Sequence, residues 1–339
     1  MADKRAGTCY TGLYSPAVLN LSAGLSVKGA KEMEYHDFPG GVWPVMLSPF
    51  TKDNRLDEGA LRELTEWYIN NGSSGLFAVC QSSEMFFLSL EERVTYAKTV
   101  KAAAAGRVPV IASGHISDSF EDQVRELREM ADTGIDALIL ITNRLAGKEE
   151  SDEIWLSNLD RLLKELPEDV KLGFYECPYP YKRVLSKKVT EYCAKTGRFY
   201  FLKDTSCDMN SILGKLEVCR GTKLRLYNAN TATLLESLRA GAAGYSGVMA
   251  NMQCRLYAQL CSDYQNERMN DLSDILTICA LIERQVYPVN AKYFLGLSGL
   301  SLTTVSRTKK DSELDETAKK EVHMLKRITQ KLEDTYLSR

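Results

Sequence analysis

The chain has 339 residues, 44% of them apolar and 26% charged, a globular mix that excludes a collagen, a disordered tail and a coiled-coil rod. Lysine and arginine number 43 against 45 aspartates and glutamates, so the net charge is −2 and no nucleic-acid partner is expected. No stretch of 18 predominantly apolar residues occurs, so no membrane span or membrane partner is expected either.

Residues 1–38 are rich in Gly, Ala, Ser and Lys and lack clear periodicity. Lys4 and Arg5 precede a mildly apolar stretch, as in a targeting peptide, but Pro16, Asn20 and Ser22 interrupt it. The segment reads as a floppy or docking arm. From Gly41 a short apolar run is followed by a longer amphipathic run, and the alternation repeats. The apolar runs are 42–47, 75–79, 108–113, 137–141, 172–175, 199–202, 224–227 and 243–246, each of a length that suits a strand buried on both faces. Between them, Asp57 precedes Ala60, Leu61, Leu64, Trp67 and Tyr68 at helical steps. Residues 119–132 repeat that pattern and Gly134 stands where a helix ends. Leu156, Leu159, Leu162 and Leu163 mark a further helix that Pro167 stops.

Strand-like runs alternating with helices predict an α/β protein, a closed (β/α)8 TIM barrel over residues 39–252. A doubly wound open sheet is the second choice, but the first strand leads into Ser48-Pro49-Phe50 and not into a dinucleotide fingerprint. After Met252 the residues 253–265, 270–286, 289–298 and 312–337 read as helices, which makes 253–339 a C-terminal helical appendage. The basic spot from Arg307 to Lys310 reads as a solvated helix start. Nine cysteines, without CxxC or CxxH spacing, read as free thiols of a reducing compartment and hence a cytoplasmic protein. Three scattered histidines argue against a metal site, and no phosphate-cradling loop or other cofactor motif is present.

In a barrel, chemistry sits at the C-terminal ends of the strands. Lys203 ends an apolar strand, where burial lowers a lysine's pKa and frees it to attack a carbonyl. The alternative is a lysine paired with Asp204. Tyr175 ends the preceding strand, placed to move protons or simply to pack in the core. The turn Gln81-Ser82-Ser83 offers groups for a carboxylate, with Glu84 as a brace. Ser246 ends the last strand, and His115 ends the third as a binding group or base. Cys177 and Cys207 lie near the mouth and read as bystanders.

These pieces carry a resemblance. The stretches 41–50, 76–84, 88–93, 108–112, 134–137, 174–178, 201–206 and 241–251 resemble, in order, the dihydrodipicolinate synthase and N-acetylneuraminate lyase family of pyruvate-handling class I aldolases. The resemblance implies a barrel with a C-terminal helical domain, a Schiff-base lysine at Lys203 and a proton-relaying tyrosine at Tyr175. The family's carboxylate-binding Gly-Thr-Thr-Gly-Glu loop falls on Cys80-Gln81-Ser82-Ser83-Glu84, where Ser82 keeps the hydroxyl; Gln81, Ser83 and Ser246 complete the expected substrate contacts. Two departures stand out. Asn143-Arg144-Leu145 replaces a Pro-Tyr-Tyr whose tyrosine completes the relay across a dimer interface. Pro180 takes the place of an arginine five residues after the relay tyrosine, with Lys182, Arg183 and Arg144 as the nearest substitutes. The resemblance therefore implies a lyase acting on pyruvate or a related 2-oxo acid together with an aldehyde, yet not an authentic dihydrodipicolinate synthase. The alternatives are a 2-oxo sugar acid dehydratase and a catalytically silent oxo-acid-binding homologue. It also implies a homo-oligomer, a dimer or tetramer.

Overall fold

The computed structural model describes residues 38–337, so the arm lies outside the described residues apart from Phe38. Each of the apolar runs overlaps a strand. They are β1 (Gly41–Val42), β2 (Leu76–Phe77), β3 (Val110–Ala112), β4 (Ala137–Ile141), β5 (Leu172–Tyr175), β6 (Phe199–Asp204), β7 (Arg225–Asn228) and β8 (Gly244–Tyr245). All pairings are parallel and the eight strands run in the order β1-β8-β7-β6-β5-β4-β3-β2. Past β1 the chain also meets β2. Val45 forms a parallel bridge to Phe77, the Met46 N–H donates to the Phe77 carbonyl at 3.0 Å, and the Phe77 N–H donates to the Pro44 carbonyl at 3.0 Å.

A helix follows each strand: α1 (Glu58–Asn70), α2 (Leu90–Ala104), α3 (Phe120–Ala131), α4 (Asp152–Leu163), α5 (Lys187–Lys195), α6 (Met209–Cys219), α7 (Leu234–Arg239) and α8 (Ala250–Ser262). Short polar side chains start most of them. Asp57, Ser89, Ser119, Ser151, Ser186 and Asp208 each accept a hydrogen bond from an otherwise orphaned first-turn N–H. The chain then continues as α9 (Arg268–Cys279), α10 (Val289–Gly296) and α11 (Glu316–Tyr336). Arg307 to Lys310 does not begin α11; Lys310 caps only a single 3-10 turn, Asp311–Glu313. That stretch belongs to a strap of irregular chain between α10 and α11, and α11 begins only at Glu316, capped by Asp315.

Aromatic rings fill the space between the strands. Trp43 lies 5.1 Å from Phe201 and 5.5 Å from Tyr227, and Phe201 stacks on Tyr227 at 4.3 Å. Phe77 packs edge-on against both Phe201 and Tyr175. A second aromatic group, Trp155, Phe174 and Phe199, is built from α4, β5 and β6. The two groups coexist because the register slips. Leu172 pairs with Phe199 but Gly173 pairs with Phe201, so Tyr200 is an extra residue in β6. Without that bulge Tyr175 would lie opposite Leu202. With it, Tyr175 lies opposite Lys203. The eight cysteines among the described residues are all free. No helix among the described residues is long and apolar enough to cross a membrane.

The seam between β1 and β8 depends on glycine. A Cβ on Gly244 would meet the Gly41 carbonyl oxygen at 1.9 Å, a clash with backbone. Gly214 in α6 has open space around it. Gly244→Ala should therefore cost about 3 kcal/mol or more, and Gly214→Ala should add about 0.8 kcal/mol. Urea unfolding of the two variants checks the opposite signs, and equal effects would contradict the tight seam.

Candidate active site

A cleft of about 480 Å³ opens at the C-terminal ends of the strands, with Lys203, Tyr175, Gln81, Ser82, Tyr287 and Lys309 on its walls. A larger cavity of about 610 Å³ lies at the opposite ends, by Gly41 and Arg225, and contains none of the residues singled out from the sequence.

Lys203 is 4% exposed. Its Nζ lies 4.3 Å from the centre of the Tyr175 ring and 5.7 Å from that of Phe77. Burial lowers its pKa from 10.5 to about 8, against the smaller opposing pull of Cys80, Cys177 and Glu283. Burial likewise pushes the Tyr175 hydroxyl well above its usual value, so the phenol stays protonated. The neighbouring Cys177 thiol adds to that upward push. The thiol reaches Gln81 Oε1 at 3.3 Å, but Cys177 itself does not line the cleft.

Lys203 is not paired with Asp204. The acids beside it belong to Lys215, which reaches in from α6. Lys215 Nζ lies 2.5 Å from Glu176 Oε1 and 2.6 Å from Asp204 Oδ2, with all three side chains out of solvent. Burial works against the Lys215 charge, but the two carboxylates outweigh it and hold its pKa above the ordinary lysine value. Glu176 also accepts the Leu185 N–H at 2.9 Å and the Thr205 N–H at 3.0 Å, which ties together the chain leaving β5 and β6. Among the described residues no carboxylate pairs with Lys203.

The turn after β2 is knitted from within. Ser83 Oγ accepts the Cys80 N–H at 2.7 Å and donates to the Cys80 carbonyl at 2.8 Å, so Ser83 shapes the turn and does not face the cleft. Ser82 does line it, as does Tyr287, whose hydroxyl accepts from Asn251 Nδ2 at 2.9 Å. Glu84, at a left-handed φ of 59°, turns its carboxylate towards the C-terminal segment. It meets Lys292 Nζ at 2.9 Å, the Ser306 hydroxyl at 2.8 Å, and the backbone N–H groups of Arg307 and Thr308 at 2.6 and 2.9 Å. Arg307 grips Glu92 with two bonds of 2.7 Å and donates to the carbonyls of Phe87 and Asn54. The strap is thereby held over the cleft, with Thr308 and Lys309 on the wall.

Other nominated residues are used elsewhere. The Ser246 hydroxyl donates to the Trp43 carbonyl at 3.0 Å and lies in the core away from the cleft. His115 is buried, its Nε2 accepts the Ile141 N–H at 3.0 Å, and burial lowers its pKa to about 3. Asn143 Nδ2 holds the carbonyls of Cys177, Tyr179 and Tyr181. Arg144 pairs with Asp118 at 2.6 Å, Lys182 donates to the Thr205 carbonyl, and Arg183 donates to those of Gly147 and Glu150. Cys207 is exposed. No cluster of three His, Cys, Asp or Glu side chains among the described residues is placed to hold a metal. Tyr287, Thr308 and Lys309 were not anticipated. The sequence marks them only by the break at Tyr287-Pro288 between two helical runs and by the basic spot from Arg307 to Lys310.

Eight parallel strands with intervening helices, and a buried unpaired lysine in a cleft at the strands' C-terminal ends, define an α/β protein with its site where such enzymes keep theirs. The sequence model of the dihydrodipicolinate synthetase family matches residues 38–328, and the chain belongs to that family. It is 41% identical over 261 residues to a 4-hydroxy-tetrahydrodipicolinate synthase of Cereibacter sphaeroides, covering 76% of this chain and 85% of that one. It is 29% identical over 266 residues to the enzyme of the same name from Ruegeria pomeroyi, covering 77% and 89%. Its fold is similar to that of the chloride-inhibited dihydrodipicolinate synthase of Acinetobacter baumannii complexed with pyruvate. There the TM-score is 0.75 at 22% identity, over 86% of this chain and 99% of that one.

The two lysines should respond oppositely to truncation. Below pH 8 the folded protein bears the full cost of charging Lys203, and that cost fades as the pH rises towards 10.5, where the unfolded chain also loses its proton. Lys203→Met should therefore stabilise the protein at pH 7, by up to roughly 3 kcal/mol, and the gain should shrink by pH 10. Lys215→Met should destabilise by about 3–5 kcal/mol, since it strands two buried carboxylates. Denaturant unfolding at the two pH values measures both, and a destabilising Lys203→Met would contradict the account.

Proposed function

We propose that the protein is a lyase of the class I aldolase type that binds pyruvate or a related 2-oxo acid as an imine on Lys203. The observation that carries this reading is the buried, unpaired Lys203 facing Tyr175 across the β5–β6 pairing, with a pKa near 8. At neutral pH a useful fraction of that amine is uncharged and nucleophilic. Its lone pair attacks the carbonyl carbon of the 2-oxo acid. The carbonyl oxygen takes up protons and departs as water, which leaves the C=N bond. Loss of a proton from the neighbouring carbon gives an enamine, the species that makes or breaks the bond to an aldehyde. The protonated Tyr175 hydroxyl is placed to deliver and retrieve these protons. The Ser82 hydroxyl and Gln81 hold the carboxylate of the 2-oxo acid. In this reading the sheet closes as a (β/α)8 barrel through the Val45–Phe77 bridge, and residues 253–339 form the helical appendage.

The relatives' printed activity is not carried over whole. Arg144, Lys182 and Arg183, the cations that would stand in for an arginine after Tyr175, are committed to Asp118 and to backbone carbonyls. That supports an aldehyde partner other than the one such synthases use. The dehydratase and silent-homologue readings gain no specific observation. Assembly as a homo-oligomer and a cytoplasmic location belong to the same reading, from the family and from the cysteine usage.

Sodium borohydride with pyruvate should leave a reduced three-carbon adduct on the peptide carrying Lys203, and Lys203→Arg should abolish it, because a guanidinium does not give up its proton. Exchange of the pyruvate methyl protons with D2O follows the enamine without any second substrate. Tyr175→Phe should slow that exchange by about 10²–10⁴. No adduct on folded protein would overturn the enzyme reading, and exchange within about threefold of wild type would return Tyr175 to a packing role.

A further inference from the structure

The cleft is larger than a three-carbon acid requires, since about 480 Å³ is the volume of a pocket for a considerably longer ligand. Its far wall is the strap. Three cations could meet the far end of such a ligand if position in the sequence decided the matter, namely Arg144, Lys182 and Arg183. Each is turned to a partner within the protein. Among the described residues that line the cleft, the basic ones are Lys203 and Lys309. The acidic one is Glu84, whose charge is taken by Lys292 and by the strap's own N–H groups. The cleft lining thus holds two basic side chains, and its one carboxylate is already engaged.

Lys309 is held there by its neighbours. On one side Arg307 is clamped to Glu92, to the Phe87 and Asn54 carbonyls, and over the Phe50 ring at 4.5 Å. Thr308 is fixed by its N–H to Glu84. On the other side the Lys310 N–H donates to Glu313 Oε1 at 2.8 Å. The Lys309 ammonium itself is half exposed and has only a loose neighbour, Glu313 Oε2 at 4.0 Å. A backbone pinned on both sides and a cation with its contacts mostly unused make a recognition element.

We propose that Lys309 reads an anionic group at the far end of the ligand, so that the 2-oxo acid handled by this site carries a terminal carboxylate or phosphate beyond its reacting carbons. The inference rests on the imine reading of Lys203, and it assigns the strap the choice of substrate. An ammonium is a point charge that suits either anion.

Borohydride trapping tests it without knowledge of the natural aldehyde, because any 2-oxo acid that forms the imine is scored. 2-Oxohexanoate and 2-oxoadipate have the same length and differ only in a terminal methyl or carboxylate. The half-saturating concentration for trapping should be about fivefold lower for 2-oxoadipate, the effect of one exposed charge pair. The ratio should fall to about one in Lys309→Met and widen in Glu313→Gln, which removes the competing carboxylate. Lys309→Arg should retain the preference. The phosphate ester of 6-hydroxy-2-oxohexanoate, run in parallel, distinguishes the two anions by which is trapped at the lower concentration. 2-Oxoglutarate and 2-oxopimelate complete the series, and the advantage should peak at one tail length. A wild-type ratio of one, a ratio unchanged in Lys309→Met, or an advantage equal at all lengths would each overturn the proposal. Failure to trap pyruvate itself would instead overturn the imine reading beneath it.

Discussion

The site depends on which lysine takes the acids. Glu176 and Asp204 follow Tyr175 and Lys203 directly in sequence, and either could have neutralised Lys203. Lys215 takes both from the side of α6. Two buried carboxylates on one ammonium make a satisfied cluster that also anchors the chain beyond β5 and β6 through the Leu185 and Thr205 N–H groups. What remains for Lys203 is two aromatic faces and burial. Ring faces attract an ammonium only modestly, while loss of water penalises it strongly. The amine therefore gives up its proton close to neutral pH because its neighbours are already engaged.

Placement of that amine is a matter of register. A single extra residue, Tyr200, moves Lys203 from beside Glu176 to beside Tyr175 and sends Phe201 into the Trp43, Phe77 and Tyr227 packing. The aromatic pile then forms a rigid floor under the ammonium. The third support comes from far along the chain. Glu84 leaves the Gln81–Ser83 turn with a left-handed backbone and is met by Lys292 and the strap, so the turn that borders the cleft and the strap that adds Thr308 and Lys309 to its wall are one hydrogen-bonded unit.

Much of this was legible in the sequence. All eight strands lie within or beside the predicted apolar runs, because strands buried on both faces have no polar alternation to disguise them. The rule that strand ends carry chemistry nominates Lys203, Tyr175 and Ser82, with Glu84 as a brace, and the fold brings all four to the cleft. The rule also nominated Ser246, Ser83 and His115, whose side chains turn to the core; a strand end fixes where a residue sits but not which way a one-residue bulge or a tight turn will point it. The strap was misread for a different reason. Arg307 to Lys310 is a run of charge when seen locally, and its meaning comes from Glu84 and Glu92, more than 200 residues earlier. Tyr287 was missed on the same ground, since its partner Asn251 and its cleft neighbour Ser82 belong to other parts of the chain.

The most direct measurement is the acidity of Lys203 itself. Limited labelling with phenyl isothiocyanate, a neutral reagent that attacks only the free amine, can be followed against pH by the mass of the peptide containing Lys203. The account predicts a midpoint near 8 for this lysine, while exposed lysines on the same protein titrate near 10.5. A midpoint for Lys203 indistinguishable from theirs would contradict the central claim, that burial without a carboxylate partner is what makes it a nucleophile.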